Sequence, residues 1–141
     1  MDASEFFNDV VKPNYEDYCY NQNQLRQLWN AVVSMNTVAE YVALDRLGYK
    51  EVGRVELFEK AKEIRKEHPI LLDLKVCAET LKHVRKLDSR VRTQATATTS
   101  STGLLSTQPA SWVIDYGTSQ YVLSDVLHRA FSALRNVPEV K

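Results

Sequence analysis

Residues 22–48 read QNQLRQLWNAVVSMNTVAEYVALDRLG. From Gln22 to Leu47 the run contains neither proline nor glycine. Leu25, Leu28, Val32, Met35, Ala39 and Val42 recur at three- and four-residue steps, the period of an α-helix with one buried stripe. Trp29, Val33 and Val38 widen that stripe. Gly48 follows as a C-terminal cap. Such a helix would be about 38 Å long at 1.5 Å per residue, the longest element the chain can build.

Working outward, residues 3–20 read as helix broken and restarted at Pro13, which has no N–H and is welcome in a first helical turn. Phe6, Phe7, Val10 and Val11 form its apolar face, and Tyr15, Tyr18 and Tyr20 supply aromatic surface. On the other side, Val55–Glu67 is a charged amphipathic helix with Val55, Leu57, Phe58, Ala61 and Ile64 inward and Arg65 among the water-facing charges. His68-Pro69 punctuates it. The next helix runs from Pro69 to about Leu87, with Ile70, Leu74, Cys77, Leu81 and Val84 as a bundle seam.

From Thr93 to Ile114 no residue is charged, and 93–110 is rich in Thr and Ser, as in a loop or an extended segment. Ser111–Asp115 and Ser119–Leu123 read as strands about a glycine turn at Gly117. Ser124 is placed to cap a final helix with Asp125 in its first turn. Leu127, Ala130, Phe131 and Leu134 form its stripe, and Pro138 ends it. The expected architecture is mainly α: a four-helix-type bundle body (1–92), the Thr/Ser-rich stretch (93–110), and a β-hairpin plus helix (111–141) packed on the same body.

The 141 residues are 44% hydrophobic and 26% charged, an ordinary globular composition that argues against disordered, collagen-like, disulfide-rich or membrane-embedded chains. No signal-peptide pattern precedes the first helix, so the expected location is the cytoplasm. The 18 basic and 18 acidic side chains cancel, which removes the whole-molecule argument for nucleic acid. Their distribution is uneven. Asp2, Glu5, Asp9, Glu16 and Asp17 face only Lys12, whereas Lys82, Arg85, Lys86, Arg90 and Arg92 face only Asp88.

That basic helix end is the leading candidate site. Lys82, His83, Arg85, Lys86, Arg90 and Arg92 would attract phosphate or an acidic partner, and a helical His83 could serve as acid or base. The same cations also complement the negative end of a helix, which needs no ligand. Asn30, Ser34 and Asn36 lie beside the apolar stripe and predict a polar contact with the Pro69 helix near His83 or Asp73. His68 and His128 read as punctuation and surface. Cys19 and Cys77 lack metal or redox spacing, and Cys77 falls on the seam as a core residue. Trp29, Tyr41 and Trp112 read as core aromatics. No histidine spacing for a metal, no phosphate loop and no nucleophile elbow is present, so neither metal nor cofactor is expected.

Phe6-Phe-Asn-Asp-Val-Val-Lys-Pro-Asn-Tyr15, Asn30-Ala-Val-Val-Ser34 and Lys82-His83-Val-Arg85, followed by the strand–turn–strand–helix pattern, resemble a group of small uncharacterised prokaryotic helical proteins. More distantly the body resembles the HEPN superfamily, whose helical bundles occur in toxin–antitoxin, phage-defence and RNA-processing systems and often dimerise. Active members of that superfamily are metal-independent ribonucleases with an Arg four to six residues before a His. Residues 77–79 of this chain are Cys, Ala and Glu, and Arg85 follows His83. The resemblance therefore implies a binding-type relative before an active nuclease.

The expected function is a non-enzymatic cytoplasmic binding or assembly module, homodimeric, contacting RNA or an acidic partner through the basic helix end. The alternatives are a metal-independent ribonuclease or defence toxin using His83 with Arg85 and Asn30, and a purely structural accessory subunit.

Overall fold

A computed structural model describes residues 1–48, 51–83, 91–94, 97–99, 105–107 and 111–141. Helices α1 (Ala3–Phe6), α2 (Lys12–Tyr20), α3 (Leu25–Arg46), α4 (Arg54–Glu67) and α5 (Pro69–His83) precede strands β1 (Val91–Gln94), β2 (Ala97–Thr99), β3 (Leu105–Thr107), β4 (Ser111–Tyr116) and β5 (Ser119–Val122). Helix α6 (Leu123–Arg135) ends the series, and a π-helical turn (Phe7–Val11) joins α1 to α2. The fold is mainly helical, with a C-terminal hairpin and final helix, as the sequence pattern predicts.

Helix α3 is the axis. Its 22 residues span about 33 Å, and every other helix packs against it. Leu28, Val32, Met35, Ala39 and Val42 are buried as the stripe requires. Gly48 ends the helix with φ +73°, the left-handed conformation that selects glycine. Leu25 and Trp29 depart from expectation: both are exposed. The first turn of α3 lies at the edge of the body, so the period continues where its packing partners have ended.

Pro13 does not break the N-terminal helix. Val11 and Lys12 keep helical dihedrals, and the Lys12 N–H donates to the Phe7 carbonyl across the π turn. A proline ring needs space where an α-helix would place the carbonyl four residues back, here that of Asp9. A π turn widens the coil over that segment, so the helix continues. Phe6 stacks on Tyr41 of α3, with ring centroids 4.2 Å apart. Of the three tyrosines expected on the surface, Tyr18 is buried, Tyr15 half-buried and only Tyr20 fully exposed.

Helix α4 is rotated from the expected face. Ala61, Ile64 and Arg65 are buried and Leu57 partly so, while Val55 and Phe58 face solvent. Rows three and four residues apart diverge around a helix, and contact with α3 selects the second row. The seam of α5 is Leu71, Leu74, Cys77, Ala78 and Leu81. Val84 and the expected extension to Leu87 lie outside the described residues.

The hairpin of β4 and β5 turns at Gly117, whose φ of +61° suits a two-residue hairpin turn. A third strand joins it: β1 pairs antiparallel with β4, giving the order β1-β4-β5. The expected loop or extended segment thus begins inside a strand, at Thr93 and Gln94, and contributes a separate β2–β3 pair. Ile114 faces the core, with Val91 and Tyr121 opposite it in the ladder. Val122, not Ser124, is the N-cap of α6, which starts directly from the strand and leaves Ser124 inside the first turn. Helix α6 then covers β4 and β5 and packs on α3 and α5.

Candidate anion-binding surfaces

Lys82 and His83 form the last turn of α5, and both are exposed. His83 Nε2 lies 3.2 Å from Glu79 Oε2, one turn back on the same face, and its side chain is 76% exposed. This is a surface acid–base pair and not a residue held in a pocket. Arg85, Lys86 and Arg90 lie outside the described residues. Arg92 stands in β1 opposite Val113, and its side chain is not described. Among the described residues His83 bonds to Glu79, not to the half-buried Asn30.

The predicted polar contact of α3 exists, but with α4 and not α5. Ser34 Oγ donates to the Ala31 carbonyl of its own helix. Asn36 accepts from Arg65 Nη2 at its backbone oxygen (3.3 Å) and at Oδ1 (3.4 Å). Both Asn36 and Arg65 are buried.

The sequence reading missed a surface where α2 meets α6. The Tyr15 hydroxyl is hydrogen-bonded to His128 Nδ1. The Tyr15 ring stacks on Phe131 at 4.2 Å and meets the His128 ring edge-on. Burial pushes the Tyr15 phenol up to about 12, aided by the neighbouring Cys19 and Tyr18. The phenol therefore stays protonated at neutral pH.

Two open clefts flank this pair. One of about 510 Å3 is lined by Lys12, Tyr15, Glu16, Phe131, Arg135 and Lys141, with Phe7 and Asn8. The Arg135 guanidinium lies 5.8 Å from the Phe131 ring centroid, over the aromatic floor. The other, of about 640 Å3, lies between His68 and Ile70 at the start of α5 and His128, Arg129 and Ser132 on α6. It is therefore at the opposite end of α5 from Lys82 and His83. Arg129 is already paired with Asp125, and Glu67 with Arg46. Among the described residues Lys12 and Lys141 have no ion-pair partner.

Half of this surface was readable. His128, Phe131 and Arg135 follow helical steps on α6, and Lys12, Tyr15 and Glu16 share a face of α2. Nothing local says that the two faces, 113 residues apart at the Tyr15–His128 bond, meet.

Cys19 and Cys77 are free thiols, and burial pushes the Cys77 thiol up to about 12, as befits a core residue. Among the described residues no group of three His, Cys, Asp or Glu side chains could hold a metal ion. None of their helices is long and apolar enough to cross a membrane. No protein-family model, curated protein or solved structure matches the chain.

Proposed function

We propose that this protein is a non-enzymatic binding module for an anionic partner, with RNA the first ligand to try and an acidic protein the second. The observation that carries the reading is the α2–α6 cleft, where the side chains of Lys12, Arg135 and Lys141 face one side-chain carboxylate, that of Glu16. Cations left without partners on a concave surface raise the local concentration of anions. The exposed Lys82 and His83 offer a second basic contact at the far end of α5, and Arg85, Lys86, Arg90 and Arg92 follow them in sequence. Exposed Tyr20, Leu25 and Trp29 at the α2–α3 corner are the apolar surface that a second copy would cover in a dimer.

The test is a salt titration of the purified chain against mixed cellular RNA, with a chelator present, scoring retention and cleavage. Sedimentation of the same sample reads its oligomeric state. Retention that falls steeply with salt, without cleavage, is the expected result, because phosphate contacts release counterions. Cleavage lost in His83→Ala would replace this reading with the metal-independent ribonuclease. Neither retention nor cleavage would exclude RNA and leave the acidic protein partner or a structural role.

A further inference from the structure

Arg65 is 3% exposed, yet it has no carboxylate within salt-bridge distance among the described residues. A guanidinium offers five N–H donors, and burying one unpaired is costly. Among the described residues only Nη2 is engaged, by the two long bonds to Asn36, and Nε has no hydrogen-bond partner. Glu40 and Glu79 act on it only through space, and burial outweighs them, pulling its pKa below the usual arginine value. Among the described residues its spare donors reach no carbonyl other than that of Asn36.

Arg65 instead lines a cleft of about 230 Å3 beside α3 and α4. Glu40 and Arg54 are its other polar groups, and Leu57, Phe58 and Ala61 are its apolar lining. Phe58 is 60% exposed, with Lys75 Nζ 5.7 Å from its ring centroid. The space is below the roughly 300–1,000 Å3 of drug-sized sites and equals about eight waters of liquid volume, so its occupant is compact.

We propose that this cleft binds a compact apolar molecule through a carboxylate, paired by Arg65 and Arg54 and covered by Leu57 and Phe58. The site is independent of the α2–α6 surface. Two sources share this chemistry: a simple carboxylic acid and an α-amino acid. Glu40 distinguishes them, because it accepts the ammonium of an amino acid and repels a simple acid.

The experiment is an NMR titration of the isotope-labelled full chain with leucine, 4-methylpentanoate and leucinamide. Saturable shifts at residues 36–40 and 54–65 with one or both acids, and none with leucinamide, are expected. Leucine alone, lost in Glu40→Gln, identifies the amino-acid source, and response to both acids identifies the simple carboxylate. Arg54→Ala should weaken binding about tenfold or more and Arg65→Met should abolish it. Because Arg65 is buried, the exposed Arg54 variant decides if Arg65→Met fails to fold. Equal shifts with leucinamide, full binding in Arg54→Ala, or no shift up to about 10 mM acid, ten times a 1 mM dissociation constant, would overturn the proposal.

Discussion

Arg46 holds the end of α3 with two carboxylates: Nε lies 2.7 Å from Glu139 and Nη1 3.1 Å from Glu67. It thereby ties α4 and the C-terminal tail to the axis helix. The bond to Arg46 holds the Glu139 carboxyl below the usual range, and the same bond raises Arg46. A carboxyl with a depressed folded pKa contributes stability above its unfolded pKa and loses it as pH falls through the folded value. Glu139→Gln should therefore lower the urea midpoint at neutral pH and flatten its fall in acid. An acid limb as steep as in the parent would show that Glu139 is not a source of that fall. Neither partner was visible in the sequence, since 93 residues separate Arg46 from Glu139. Arg65 was misread for a related reason: a charge in a charged helix is assigned to water until a packing partner claims its face.

Elements were more legible than residues, because period and punctuation are local. The α3 stripe, the Gly48 cap, the His68 stop and the Gly117 turn all follow from side-chain spacing or backbone freedom. Pro13 stands in the first turn of α2 as its chemistry predicts, but the expected break before it is absent, because a π turn, which has no simple sequence signature, carries the helix through. Strand β1 was missed because four residues without a large apolar run cannot announce a strand; pairing with β4 defines it. The first helix carries one clear signal. Asp2 Oδ1 accepts from the Glu5 N–H at 2.8 Å, and the Asp2 N–H donates to Glu5 Oε2 at 3.0 Å, a complete capping box. Asp2→Ala should cost about 1 kcal/mol in urea unfolding with an unchanged denaturant slope. No loss would show that packing of Ala3, Phe6 and Phe7 alone holds this end.

At the scale of the whole molecule, the sequence supports a helical bundle with an appended hairpin and helix, and the structure has that form. The sequence does not show which helix faces adjoin, and the proposed binding surface depends on that. The neutral overall charge concealed a local excess in the lining of the α2–α6 cleft, where the side chains of Lys12, Arg135 and Lys141 meet that of Glu16, and it forms only when α6 folds back beside α2. The central claim is that this excess engages an anionic partner. The most direct measurement is the salt dependence of single-stranded RNA affinity for the parent and for Lys12→Ala/Arg135→Ala. Each lost phosphate contact reduces the slope of log K against log salt by about 0.7, so the double variant should bind more weakly with a slope about 1.4 smaller. An unchanged affinity and slope would contradict the account and move the contact to Lys82 and the residues that follow it.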